Sequence, residues 1–298
     1  MVWSFSAHGS FRKCPRQWFY KKVFASSRSK DPLRREAHRL SKLESIQAWR
    51  GKIVDTIISQ TIIPSIKWKQ TCSLDNAKKK ADQLFVIGRA QRVAGNGGVG
   101  FFEAEYGLPL NEELFTNARA EIHAALENLY KAGPVWTSLQ LATILVPQRP
   151  LSFKNGQASV RVVPDLIAFQ TPRAPAVFDW KVNAYPMRDY WLQLVTGAMG
   201  VTRCNPHRDW PQAAARHDPH EVELFEVQLL TSDVRVHSIT EADVHDAEDF
   251  ISISAGQMEL AFDGREPKDI RPEEFPVASE PRTCQKCPFR KPCWGVET

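Results

Sequence analysis

The chain has no run of about 18 or more apolar residues, which argues against a membrane-spanning helix. Its opening stretch, MVWSFSAHGSFRKCPRQW, lacks the apolar segment of a secretory leader, so secretion is not expected. No G-x-S-x-G, H-E-x-x-H or dinucleotide-binding glycine pattern is present. The Gly-rich stretch Gly95–Gly100 has no Gly-Lys-Ser/Thr ending, so it reads as a loop and not as a phosphate cradle. There is no internal repeat and no low-complexity tract. Cysteine is sparse, six in 298 residues. Without a leader those thiols are expected in a reducing, cytoplasmic setting, where clustered cysteines bind metal more readily than they pair as disulfides.

What is present is ordinary in bulk, with 43% apolar and 24% charged residues, enough for one large domain or two small ones. The charge is unevenly spread. Residues 1–52 carry thirteen Lys and Arg against Asp31, Glu36 and Glu44, a net +10 in a chain whose total is +5. Phe11, Trp18, Phe19, Tyr20 and Phe24 interleave with these cations. Each residue alone fits a solvated helical face backed by a core-facing aromatic stripe. The asymmetry as a whole favours nucleic acid, because cations beside stacking faces suit a phosphate backbone and unpaired bases. Arg12, Lys13, Arg16, Trp18, Lys21 and Lys22 are the candidate DNA-binding residues.

Helical periodicity covers residues 10–24 and 35–63, with Pro64 expected to stop the second helix. Further helices are expected over 74–92 and 111–131, the latter closed by Gly133-Pro134. The pattern then changes. Residues 141–146 and 176–182 read as apolar strands, and Asn155-Gly156 marks a tight hairpin. A helix over 187–201 precedes two alternating strands around Thr231-Ser232-Asp233, and a helix over 240–262 leads to a Pro-rich tail. The sum is a mixed α/β domain with a helical insertion at 64–137.

Two constellations carry chemistry. Cys284, Cys287 and Cys293 form a C-x2-C-x5-C run, and Cys14 lies near the other end of the chain. Thiolates at this spacing converge readily on one soft metal, and spacing alone makes structural zinc the default. Separately, Asp165 lies in an apolar strand, and fourteen residues on Asp179-Trp180-Lys181 puts a carboxylate and an ammonium on one strand face. Two carboxylates in apolar strands need a shared compensation, and Mg²⁺ or Mn²⁺ provides it. Lys181 would position water or steady developing charge. The alternative is an Asp–Lys ion pair on a sheet face beside an unrelated hairpin aspartate.

Pro164-Asp165 followed by Asp179-Trp180-Lys181 resembles the PD-(D/E)XK nuclease signature. The segment from Ser6 to Tyr20, with its Cys14-Pro15 step, and the C-terminal cysteines are similar to the iron–sulfur RecB-type branch, which includes CRISPR-associated RecB-like exonucleases and the AddB nuclease domain. The resemblance implies a restriction-endonuclease-like mixed central sheet flanked by helices, with an N-terminal helical region, in a single domain spanning 1–298. It implies a [4Fe–4S] cluster, in place of zinc, on Cys14, Cys284, Cys287 and Cys293, joining the two termini through segments at 14 and 284–293. It also implies a Mg²⁺- or Mn²⁺-dependent deoxyribonuclease, of exonuclease type, acting on single-stranded or frayed DNA in repair, phage defence or CRISPR-type processing, with a helicase or similar subunit as partner. Asp165, Asp179, the Trp180 carbonyl and Asp55 would hold the cation, with Lys181 and Gln193 completing the catalytic set.

The sequence departs from that branch at two places. The G-x-x-x-H of the first helix reads Gly51-Lys-Ile-Val-Asp55, where aspartate can serve as the hard-metal ligand. The Q-x-x-x-Y reads Gln193-Leu-Val-Thr-Gly197, without the tyrosine. A non-catalytic nucleic-acid-binding subunit with a degenerate nuclease fold is the rival reading. Glu103 and Glu105 would share a strand face in solvent. Cys72 and Cys204 read as ordinary buried residues, and His123 as a packing residue.

Overall fold

The computed structural model describes residues 2–95, 98–183, 190–211 and 217–295. Asn96 and Gly97 of the Gly-rich stretch, and the first residues of the helix expected over 187–201, lie outside the described residues. Strand β1 (Val2–Trp3) opens the chain, followed by helices α1 (Phe5–Lys13) and α2 (Pro15–Phe19) and a wider turn over Tyr20–Phe24. Ser4 caps α1 by accepting from Ala7 N–H at 3.2 Å. Pro15 sits in the first turn of α2, where its missing N–H costs nothing.

Helices α3 (Pro32–Leu40) and α4 (Ile46–Ile57) follow. Pro64 does not stop α4. The chain widens over Ile58–Ile62, with Ile63 N–H reaching back to Ile58 carbonyl, and continues as α5 (Ile63–Lys67) with Pro64 in its first turn. Helices α6 (Leu74–Val93), α7 (Phe102–Glu105), α8 (Glu112–Lys131) and α9 (Gly133–Leu141) complete the N-terminal half.

The second half supplies β2 (Ile144–Pro147), β3 (Leu151–Asn155), β4 (Ala158–Val162), β5 (Leu166–Phe169), β6 (Ala176–Lys181), α10 (Tyr190–Arg203), β7 (Glu223–Gln228), β8 (Asp233–His237), α11 (Glu241–Leu260), α12 (Pro281–Gln285) and α13 (Arg290–Trp294). The β3–β4 hairpin turns at Asn155-Gly156, where Gly156 takes a φ of +54°. Two mixed sheets result: β1-β4-β3, and a five-stranded sheet ordered β2-β5-β6-β7-β8. Strands β6 and β7 run parallel because α10 crosses between them, whereas the other pairs of the larger sheet are antiparallel. The fold is α/β, with a mixed central sheet flanked by helices.

Both faces of the larger sheet are covered, which explains why its central strands read as nearly continuous apolar runs. Ala176, Phe178 and Trp180 face one core with Leu166, Phe225, Ile53, Ile57, Phe115 and Leu126. This core includes residues from α6, α8 and α9, so the helical segment 64–137 is built against the sheet and α4. Val177 faces the other core, with Ile167, Leu224, Val195 and the N-terminal aromatics. Asp179 and Lys181 share that second face, and they interrupt its apolar pattern at one end of the strand.

Candidate active site

The geometry begins with the pleat. Asp179 and Lys181 are two residues apart on β6, so their side chains emerge together. Lys181 Nζ lies 2.6 Å from Asp179 Oδ2. Gln193, from the first turns of α10, closes the group: its Nε2 donates to Asp179 Oδ1 at 2.6 Å, and its Oε1 accepts from Lys181 Nζ at 3.2 Å. Asp165 stands one residue ahead of β5, and its Oδ2 accepts from Trp180 N–H at 2.8 Å. Asp165 and Asp179 therefore share one end of the sheet. Trp180 points its indole to the opposite face, stacked on Phe178.

Asp55 reaches the same end from α4. Its Oδ2 accepts from Gln148 Nε2, while its buried Oδ1 has no hydrogen-bond partner. Gln148 was not singled out by the sequence. It sits in the β2–β3 turn at a φ of +48°, a left-handed backbone that non-glycine residues seldom adopt. Its N–H donates to Asp165 carbonyl at 3.0 Å, so one residue touches both Asp55 and Asp165. Arg50, one turn before Asp55 on α4, donates to Val182 carbonyl and pairs with Glu121 of α8, which ties this helix to the strand just past Lys181.

Crowded carboxylates make the site electrostatically tense. Burial, then the charges of Asp179 and Asp55, push Asp165 up to about 8. Burial also raises Asp179 against the opposing pull of Lys181, and burial with the charge of Asp179 raises Asp55. Among the described residues no three His, Cys, Asp or Glu stand as a ready-made metal-ligand set. The donors nevertheless suit a hard divalent cation: an unpartnered buried carboxylate oxygen on Asp55, and two more acids whose mutual repulsion a cation would relieve.

A family model of the PD-(D/E)XK nuclease superfamily matches residues 2–294. The chain belongs to the PD-(D/E)XK nuclease superfamily. Among solved structures it is similar to that of a "Putative exonuclease" from Eubacterium rectale, at 13% identity and a TM-score of 0.44, covering 93% of this chain and 84% of that one. It is also similar to the structure of SSO0001, at 11% identity and a TM-score of 0.30, over 70% of this chain and 82% of that one. No curated protein matches.

Gly197 stands where the resemblance to the RecB-type branch leads one to expect tyrosine, and the helix lies close to the sheets there. A Cβ at Gly197 would lie 3.2 Å from Val177 Cγ1, and one at Gly200 only 2.4 Å from Val162 Cγ1. Helix α10 thus packs closely on the sheets, with Gly200 at the tightest approach and Gly197 leaving little room beside Val177.

The four cysteines come together. Cys14, Cys284, Cys287 and Cys293 line one small cavity with Tyr20 and Phe289. Their sulfurs receive donors: Gln17 N–H to Cys14 at 3.4 Å, Phe289 N–H to Cys287 at 3.4 Å and Arg16 Nη1 to Cys293 at 3.7 Å. Burial, with the neighbouring thiols contributing, pushes Cys287 up to about 12. These four soft donors share one cavity, three of them receiving N–H groups, and are the residues that could hold a thiolate-bound metal, although they do not stand as a ready-made ligand set.

The basic N-terminal stretch divides in two. Arg12, Lys13, Lys21 and Lys22 are exposed, and partial burial together with the cations Lys21 and Arg161 lowers the proton affinity of Lys22. Trp18, by contrast, is 2% exposed and packs on Phe11, Phe262 and Phe275, so it cannot stack on a base as expected. Arg16 has partners within the fold. Its guanidinium holds the C-terminal segment through Phe275 and Glu273 carbonyls at 2.9 and 3.0 Å.

Other expectations also change. Glu103 and Glu105 lie on α7, not on a strand, and neither is simply solvated. Glu103 accepts from Ile46 N–H, and Glu105 pairs with Arg39 and Lys291, each at 2.7 Å. His123 contacts Asp82 at 2.9 Å instead of packing in the core. Cys72 and Cys204 are buried. No helix among the described residues is long and apolar enough to cross a membrane.

Proposed function

We propose that this protein is a Mg²⁺- or Mn²⁺-dependent deoxyribonuclease of exonuclease type, acting on single-stranded or frayed DNA ends. The observation that carries the reading is the meeting of Asp165, Asp179, Lys181, Gln193 and Asp55 at one sheet end. Asp55, Asp165, Asp179 and the Trp180 carbonyl would hold the cation. When bound, the cation supplies positive charge to the phosphodiester and acidifies water.

The chain's own residues do the rest. Gln193 fixes Asp179 Oδ1 by donating to it, leaving Oδ2 for Lys181 or a ligand. Lys181, held by both Asp179 and Gln193, presents an ammonium where negative charge develops on phosphate. Exposed Arg12, Lys13, Lys21 and Lys22 would attract the strand. A [4Fe–4S] cluster on the four cysteines would fasten the N-terminal helices to the tail. A helicase or another repair or defence subunit would supply unwound DNA in the cytoplasm.

The test incubates labelled single- and double-stranded DNA with Mg²⁺ or Mn²⁺, using the parent, Asp165→Ala and Lys181→Ala. Shortening of end-labelled strands by the parent, lost in both variants, supports the proposal. Binding without cleavage by the parent would mean a non-catalytic subunit.

A further inference from the structure

The register of the larger sheet aligns a row of charged side chains that crosses four strands. Leu166 pairs with Phe178, so Asp165, one residue earlier, stands beside Asp179, whose neighbour Trp180 donates to it. Asp179 pairs with Glu226 on β7, and Glu226 pairs with Arg235 on β8. Register partners share a sheet face and lie about 5 Å apart between strands. The row therefore runs Asp165, Asp179, Glu226, Arg235.

Glu226 is 3% exposed, in the interior of a strand, where an ionisable group is costly unless it is partnered. It has partners. Gln228 Nε2 donates to Oε1 at 2.8 Å, His237 Nε2 contacts Oε2 at 3.0 Å, and Arg235 stands off at 3.9 Å with its other end on Asp233. These contacts satisfy the carboxylate locally, and Gln228, itself 2% exposed, depends on it for a hydrogen-bond acceptor. The acid stands directly across from Asp179 in the parallel β6–β7 pair.

We infer that Glu226 is a positioning residue that strengthens divalent-cation binding through Asp179, adding negative charge to the site without entering the ligand set. Charges separated by one strand spacing interact strongly in a partly buried setting, even after the screening by His237 and Arg235. The inference rests on the proposed cation site.

The test titrates Mn²⁺ alone into the parent, E226Q, E226D and D165N proteins at one fixed pH. Free Mn²⁺ is read by its electron paramagnetic resonance signal, and melting temperature is measured without metal. The expected result is parent binding that D165N loses, weakening by about tenfold or more in E226Q, and a change within about threefold in E226D. Metal-free E226Q should melt no lower than the parent, because removing one of several crowded charges relieves repulsion.

Parent-like Mn²⁺ binding by E226Q, with D165N defective, overturns the inference and leaves the cation site standing. Weak binding in both E226Q and E226D with lowered melting overturns it in favour of a structural role. A parent that binds no Mn²⁺ overturns the cation site and this inference with it.

Discussion

Substituting Asp165 by asparagine should stabilise the metal-free protein, and increasingly so as pH rises. Burial and the neighbouring carboxylates push Asp165 up to about 8 in the folded chain, against 3.8 for an ordinary aspartate. Between these values the folded state holds a proton that the unfolded state has released. Stability then falls with rising pH at about 1.4 kcal/mol per unit for one proton. It is unaffected by this group below the lower value and stops falling above the upper one. Asparagine mimics the protonated acid, can still accept from Trp180 N–H, and has no such slope.

The complete shift sets an upper limit of roughly 6 kcal/mol on the gain above pH 8. Asp55 and Asp179 share the repulsion and relax together, so a gain of at least about 2 kcal/mol is the expected result. Urea denaturation of metal-free parent and Asp165→Asn across this pH range measures the gap directly. Equal pH slopes for the two proteins, or a variant less stable than the parent at every pH, would refute the account of the carboxylate cluster.

Trp18→Ala should cost roughly 3–5 kcal/mol by emptying a packed aromatic site, yet leave DNA affinity unchanged at a temperature where the variant stays folded, as read by fluorescence anisotropy. Lys13→Ala with Lys21→Ala should do the reverse, weakening DNA binding and flattening its salt dependence with melting little changed. Glu105 is held down to about 2 by hydrogen bonding from Arg39, so its contribution is complete above about 4.5 and vanishes as pH falls through 2. Glu105→Gln should therefore lower stability by about 1–2 kcal/mol at neutral pH, with parent and variant converging in acid denaturation. Cys287→Ala should lower melting temperature and DNA binding together, and a variant matching the parent in both would remove the terminal staple.

The sequence made the D-x-K strand legible because a two-residue period needs only neighbouring residues to be seen. The Asn155-Gly156 hairpin was visible for the same reason, since its turn chemistry is local. Gln148 and Glu226 were hidden because tertiary pairing brings them to the site. Gln148 arrives by a strained turn, and Glu226 by a parallel crossover that places it beside Asp179 across 47 residues of chain. Trp18 was misassigned because alternating aromatic and basic residues on a short helix describe an interior stripe and an exposed basic rim equally well. Pro64 misled because a widened turn can absorb a proline that a regular helix cannot. Glu105 was read as solvated because its cations, Arg39 and Lys291, come from remote parts of the chain.

The stacking of Phe19 on Phe275, at 4.3 Å, and of Tyr20 on Phe289, at 5.3 Å, also sets an order of events during synthesis. The first-made aromatics must wait while more than 250 further residues are added, roughly 10–50 s at ordinary elongation rates. Throughout that interval Trp18, Phe19 and Tyr20 have no tail to cover them. This aromatic segment of the nascent chain stays sticky until then.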